Sequence, residues 1–264
     1  MTRVIFSADD FALNAAVNRA VVELADRGRL TATACLVLAP RWPRSAALLR
    51  DRTDLDVGLH LDFTEFDALG SLPRLAAAAR LRQLPEHAVR DRIRRQFDRF
   101  EDTLGRSPDY VDGHQHVHQF PQIAGALLEE IRRRDPRPRP WWRRSAAPLS
   151  AGVKGLALRL LAERHLARRV AGAGLPASHR LLGVYRFDRD ADGWRRLLDR
   201  ALRAARDGDA LMLHPAVDAL PGDPIGPARR VEYGVLEAAD LGPALSALGI
   251  VPVRGTQCLI ATAC

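Results

Sequence analysis

Asp112-Gly113-His114-Gln115-His116-Val117-His118-Gln119-Phe120-Pro121 places three of the chain's eight histidines within five residues. The run follows a short strand-like segment, Tyr110–Asp112, and stops at a helix-breaking proline. Neutral imidazole is the commonest metal ligand in proteins at physiological pH. Two distant segments end in the same chemistry, Ser7-Ala8-Asp9-Asp10-Phe11 and Val57-Gly58-Leu59-His60-Leu61-Asp62. Each is an apolar run that stops at an acid or a histidine. Together they read as a metal site assembled at the ends of several strands.

Outward from this stretch, short apolar runs alternate with helical periodicity. The pattern predicts strands over Val4–Ala8, Thr33–Leu38, Leu55–Leu61, Tyr110–Asp112, Leu181–Tyr185, Ala210–Leu213 and Ile250–Val253. Helices are expected over Asn14–Arg27, Pro43–Arg50, Pro85–Leu104, Ile123–Arg134, 153–170, Trp194–Arg206 and Ala244–Leu248, with residues 63–84 and 136–150 read as loops. Repeated βα units imply an α/β fold with a mainly parallel sheet, closed into a barrel. No internal repeat or flexible linker interrupts the 264 residues, so one domain is expected over 1–264.

Composition narrows the function. A hydrophobic fraction of 47% supports a core, and no run reaches the roughly eighteen apolar residues of a membrane span. The N-terminus meets its Asp pair too soon for a signal peptide, so a cytoplasmic location is expected. Cys35, Cys258 and Cys264 are odd in number and form no CxxC, which argues against a disulfide framework or a thiolate metal site. The net charge of +8 comes from dispersed arginines, with Lys154 the only lysine, and no nucleic-acid recognition module accompanies it. The densest basic stretch, Arg132 to Arg144, interleaves Trp141 and Trp142 with cations, which suits a sugar, a lipid-linked glycan or peripheral contact with an anionic membrane.

In a parallel barrel, functional groups gather where strands end. Asp9 and Asp10 end the first strand, His60 the third, His114 follows the fourth, and His214 follows Ala210–Leu213. Singly, each has an ordinary explanation: a strand-end Asp caps a helix, and a lone histidine sits satisfied in a core. Jointly, four strand ends bring acid or imidazole to one rim. An extended backbone would spread His114, His116 and His118 along roughly 13 Å. His114, nearest the strand end, is therefore the natural ligand, leaving His116 and His118 to support the ligands or touch substrate. His87, His165 and His179 lack such company and read as surface residues. An open Asp-His-His site is the catalytic arrangement rather than the closed structural one.

With these residues in place, the set Ser7-Ala8-Asp9-Asp10-Phe11, Gly58-Leu59-His60, Asp112 to His118 with Pro121, and His214-Pro215 resembles the YdjC-like carbohydrate deacetylases, a group that includes chitooligosaccharide deacetylases and hopanoid-associated enzymes. Asn18 and Thr31-Ala32-Thr33 are also similar to that family. The resemblance implies a distorted (β/α) barrel of the glycoside hydrolase/deacetylase type and a divalent metal on Asp10, His60 and His114. By the same resemblance Asp9 is the catalytic base and His214 the general acid, in removal of an N-acetyl group from an amino sugar, and a homodimer is implied. Imidazole and carboxylate donors favour Zn²⁺, whereas the resemblance points to Mg²⁺. The family's arginine near the acetyl pocket has three candidates here, Arg139, Arg143 and Arg144, with Trp142 and Trp141 beside them as sugar-stacking rings. The family usually has Gly where this chain has Ala12; a left-handed backbone there would cost about 1 kcal/mol. Two rivals remain: a metal-dependent phosphoesterase, which needs further carboxylates for a second ion, and a non-catalytic metal- or sugar-binding protein, expected to lack Asp9 or His214.

Overall fold

The computed structural model describes residues 1–146 and 164–260. Cys264, residues 147–150 of the loop expected over 136–150, and residues 153–163 of the helix expected over 153–170 lie outside the described residues. Among the described residues eight strands form one parallel sheet: β1 (Thr2–Phe11), β2 (Ala32–Cys35), β3 (Asp56–Leu61), β4 (Tyr110–Gly113), β5 (Trp141–Trp142), β6 (Leu181–Leu182), β7 (Asp209–Leu213) and β8 (Ile250–Pro252). They are ordered β5-β4-β3-β2-β1-β7-β6, with β8 paired to residues 2–4 of β1. The two edges meet around one irregular seam. Trp142 N–H donates to Pro176 O at 2.7 Å, Ser178 N–H to Trp142 O at 3.0 Å, and Leu181 N–H to Ala146 O at 3.1 Å. The sheet thus curls into a distorted barrel, as the alternation of strands and helices predicts.

The two-residue period of each strand divides its side chains between the outer helical layer and the barrel axis. Val4, Phe6, Leu59, Val111, Trp142, Leu211 and Leu213 face outward and join the main core with Val17, Leu24, Ile93 and Phe97 of the surrounding helices. Burying each large apolar side chain contributes roughly 1.5–3 kcal/mol. Ile5, Ala34, Tyr110, Trp141, Ala210 and Met212 form a smaller cluster along the axis. Within it Tyr110 and Trp141 stack at 4.2 Å and 11°, and Trp141 Nε1 donates to buried Asp56 at 2.9 Å. Continuing the same alternation toward the strand ends, the axial positions become Ser7 and Asp9, His60, Asp112, Arg143 and His214. The apolar floor and the polar rim are two ends of one periodic pattern.

Several boundaries differ from the sequence pattern. The second strand stops at Cys35, and Pro43–Arg50 is reduced to a short helix, Trp42–Ser45, with a 3₁₀ turn, Ala46–Leu48. Residues 63–84 include the helix Leu72–Arg80. A further helix, Gly226–Glu237, was hidden by Gly226, Pro227 and Gly234, although proline in a first helical turn is a start signal. No helix among the described residues is long and apolar enough to cross a membrane.

Axial packing leaves no room beside Gly58, where a Cβ would lie 2.4 Å from Tyr110 Cε1. With that ring clamped against Trp141, Gly58→Ala is expected to lower the unfolding free energy by about 2 kcal/mol, an overpacking cost. Urea denaturation of the variant checks this; an unchanged midpoint would show that the axial stack yields freely.

Candidate active site

A regular strand cannot turn two consecutive side chains to the same face. At Asp9–Asp10 the β1–β2 register shifts between Ala8 and Phe11, the mark of a β-bulge, and Asp10 takes φ +66°. Both carboxylates thereby reach the cavity at the barrel end. The turn that follows is held by Asn18, whose Oδ1 accepts from Ala12 N–H at 2.7 Å and whose Nδ2 donates to Ser45 Oγ at 2.7 Å. Ala12 itself has φ +78°, the left-handed value that costs a residue with a Cβ about 1 kcal/mol.

Asp10, His60 and His114 bring ligand atoms within 4.8 Å of one another. Asp10 Oδ1 lies 2.9 Å from His114 Nδ1 and 3.4 Å from His60 Nε2. Its Oδ2 accepts from Arg229 at 2.6 Å, and Arg229 also donates to Asp223 at 2.8 Å. Burial opposes ionisation of Asp10, but Arg229 and His114 outweigh it and hold the carboxyl well below its usual range. His60 Nδ1 sits 2.5 Å from Asp112 Oδ1. Burial alone would lower His60, yet the Asp112 and Asp10 carboxylates hold it up at about 10.

Arg143 saturates the other acid. Its guanidinium donates to Asp9 Oδ1 at 2.5 Å and Oδ2 at 2.7 Å, and to Ser7 Oγ at 3.2 Å, while lying 2.8 Å from Asp112 Oδ2. His214 Nε2 stands 3.8 Å from Asp9 Oδ2, and burial lowers that imidazole to about 4. The His214 ring meets the Phe187 ring edge-on at 5.0 Å. Its backbone N–H donates to Glu232 Oε2 at 2.6 Å, and Tyr185 Oη donates to Glu232 Oε1 at 2.6 Å.

The remaining expected residues are distributed differently. The backbone after Gly113 is not extended: Gln115 and His116 take φ +51° and +62° inside a 3₁₀ segment, His114–Gln119. This coil separates the histidines. His116 lines the cavity with Nδ1 3.1 Å from Ser145 Oγ, whereas His118 is fully buried and donates from Nε2 to Arg143 O at 2.9 Å. Trp142 is 1% exposed on the outward face of β5, so no ring face is offered to a ligand. Arg139 stands away from the cluster, donating to Ala173 O at 2.7 Å. In the basic stretch, Arg133 and Arg134 pair with Glu130, and Arg137 and Arg139 with Asp135, which offsets much of its charge locally.

Three residues at the site were given no role in the sequence analysis. Asp112 shares the axial face with Tyr110, two residues earlier, a signal the strand period carries. Arg229 and Glu232 sit three residues apart on the helix Gly226–Glu237, so recognising that helix from its early proline is what would have exposed them. Asp9, Asp10, His60, His114, His214 and Arg229 line a cavity of about 770 Å³ whose apolar walls come from Leu13, Leu72, Phe120, Phe187, Leu220 and Ile225.

Such a rim, on such a sheet, defines a distorted (β/α) barrel that carries its acids and imidazoles at the strand ends. A family model described as YdjC-like protein matches residues 3–247, and the chain belongs to that family. Chitooligosaccharide deacetylase of Proteus mirabilis (strain HI4320) is 35% identical over 136 residues, covering 48% of this chain and 54% of the relative. The enzyme of the same name from Serratia marcescens is 33% identical over 131 residues, covering 46% and 52%. The chain thus spans about half the length of the curated relatives it matches. Among solved structures, a protein of Enterococcus faecalis V583 provisionally assigned to cellobiose-phosphate cleavage superposes with a TM-score of 0.70 at 20% identity, covering 98% of this chain and 99% of that one. A peptidoglycan N-acetylglucosamine deacetylase gives 0.58 at 11% identity, covering 98% and 88%. At these identities the likeness establishes the shared fold.

Burial pushes the Glu232 carboxyl up to about 7 from its ordinary 4.5. The folded chain therefore binds this proton more tightly than the unfolded chain. The stability so contributed is fully present below about pH 4.5 and is lost as pH rises through about 7. Glu232→Gln, neutral at every pH, is expected to gain roughly 3 kcal/mol on wild type between pH 5 and pH 9. Urea unfolding across that range measures the difference; curves that stay parallel would mean the carboxylate is solvated.

Proposed function

We propose that this chain is a metal-dependent hydrolase that removes the N-acetyl group from an amino sugar and releases acetate, working as one catalytic unit. The observation that carries the reading is the pairing of a fixed carboxylate, Asp9, with an imidazole 3.8 Å away, His214, beside the convergent donors of Asp10, His60 and His114. The matched segments of relatives named chitooligosaccharide deacetylase support the same chemistry.

The donor set fits a divalent cation. One carboxylate oxygen and two ring nitrogens converge in a buried place, with the Asp112 carboxylate 2.5 Å behind the His60 ring. Asp10, His60 and His114 would hold the ion, Mg²⁺ or Zn²⁺, which when bound supplies Lewis acidity toward an amide carbonyl and a water. Asp112 fixes the His60 ring from behind through Nδ1, and Arg229 fixes Asp10 through Oδ2.

Asp9 would act as the base. Arg143 donates to both its oxygens, which fixes the direction in which the carboxylate would meet the attacking water whose proton it takes. His214 would be the acid that protonates the departing nitrogen, because an amine anion cannot leave unaided. Lowered to about 4, this imidazole is neutral at rest. The proton it delivers is therefore gained during turnover, and Asp9 is the neighbouring group that can supply it. The apolar walls of the cavity would suit an amino sugar carried on an apolar or lipid aglycone, with Asn14, Glu65 and Gln115 on the same lining able to pair its hydroxyls.

Acetate release from N,N′-diacetylchitobiose and from an N-acetylglucosaminyl lipid, using metal-stripped protein with Mg²⁺ or Zn²⁺ restored, tests the reading. Turnover should require the ion, favour the lipid-linked sugar, and fall at least about 100-fold in Asp9→Asn. No acetate from the metal-restored wild type with either substrate would remove the assignment.

A further inference from the structure

Two arginines hold the two acids of the rim in different ways. Arg143 meets Asp9 with both terminal nitrogens, one on each carboxylate oxygen, at 2.5 and 2.7 Å. Arg229 touches Asp10 through Nη2 alone, on Oδ2 at 2.6 Å. Asp10 Oδ1 is left to face His114 Nδ1 at 2.9 Å and His60 Nε2 at 3.4 Å. Arg229 nevertheless has a spare donor. The residue is 3% exposed, and its buried Nη1 has no hydrogen-bond partner among the described residues. A guanidinium with an idle N–H beside a carboxylate gains by turning to take both oxygens. Something restrains it.

The restraint is Asp223, whose Oδ2 accepts from Arg229 Nε at 2.8 Å. Asp223 is itself fixed by the turn that opens the helix Gly226–Glu237. There Ile225 N–H donates to Oδ1 at 3.1 Å, and Gly226 N–H to the Asp223 carbonyl at 3.0 Å. With Nε tied to that turn, the guanidinium plane is set and one terminal nitrogen reaches Asp10. We infer that Asp223 is a positioning residue for the ion: it keeps Arg229 from closing on both oxygens of Asp10 and so leaves Oδ1 open as a ligand. The inference rests on the reading of Asp10, His60 and His114 as the ion site.

Charge points the same way. Asp10 and Asp223 together outweigh the single Arg229, so the group is net negative before an ion arrives. Without Asp223 the remaining anion and cation would cancel, and a divalent ion would meet a neutral pair. Asp223 also belongs to the wall, because residues 220–225 line the cavity without a break. One short segment therefore shapes the cavity and sets how tightly the ion is held.

The test is cobalt affinity, measured by titration calorimetry on the metal-stripped full chain. Wild type is compared with Asp223→Asn, Asp223→Glu, Arg229→Gln and the double variant Asp223→Asn/Arg229→Gln. Asp223→Asn should raise the Kd for Co²⁺ at least about 10-fold, and Asp223→Glu, which keeps the charge and the acceptor, should recover most of that loss. In the Arg229→Gln background the same Asn substitution should cost no more than about threefold, because the group it restrains is gone. Asp223→Asn binding cobalt as tightly as wild type overturns the inference. So does an equal loss in the Arg229→Gln background, which would mark a direct effect of the Asp223 charge. If Asp223→Asn does not stay folded when stripped, Asp223→Ser is purified in Co²⁺ and its affinity taken from competition with a chelator, with the same outcomes. Wild type that binds no cobalt would defeat the ion-site reading and this inference with it, whereas tight wild-type binding beside an unchanged Asp223→Asn defeats the inference alone.

Discussion

Two neighbouring carboxylates are made to serve one cavity by a single backbone irregularity. In an unbroken strand Asp9 and Asp10 would point to opposite faces, one to the barrel axis and one into the outer apolar layer, where an unpaired charge is costly. The bulge and the left-handed Asp10 convert that conflict into a site with both acids on the same side. Much else follows from this turn. Asn18 and Ser45 secure it, Arg143 receives Asp9, Arg229 receives Asp10, and His60 and His114 complete the approach to Oδ1. Backbone strain concentrates in the same place, with Asp10, Ala12, Gln115 and His116 all at positive φ. Strain of this kind costs of order 1–3 kcal/mol per residue and persists where the surroundings over-determine it.

Buried charge is the second organising feature. Asp9, Asp10 and Asp112 are removed from water, as are Arg143 and Arg229. Moving such ions out of solvent is expensive unless geometry and further hydrogen bonds compensate, and breaking one partner of a buried pair typically costs 3–5 kcal/mol. The arginines arrive from outside the strands that carry the acids. Arg143 follows β5, and Arg229 comes from the helix over the barrel end. Asp9 and Asp10 are thereby fixed by parts of the chain more than a hundred residues away.

The barrel and its rim were legible because both are written in strand periodicity, and apolar runs ending in Asp9, His60, His114 and His214 need only local sequence to be noticed. What could not be read depends on conformation that local pattern does not encode. His116 and His118 were placed by an extended backbone, but two left-handed residues coil the segment and send His118 into the core behind Arg143. Arg143 could not be separated from Arg139 or Arg144 because adjacent arginines look alike until alternation is counted from β5. Trp142 shows the same rule from the other side: one residue from Arg143, it faces the outer layer. Arg229 and Glu232 were lost with their helix, masked by Gly226, Pro227 and Gly234.

That helix, Gly226–Glu237, joins functions that are otherwise far apart in the chain. Its Arg229 grips the acid from β1, and its Glu232, one turn further on, grips the main chain of the residue after β7. The two contacts share one rigid rod, so neither can lengthen alone. Displacement of the rod would reset the aim of a candidate ligand and of a candidate proton donor in the same movement. The two halves of the rim are therefore coupled mechanically as well as electrostatically, and perturbations at Arg229 and Glu232 are not independent in energy.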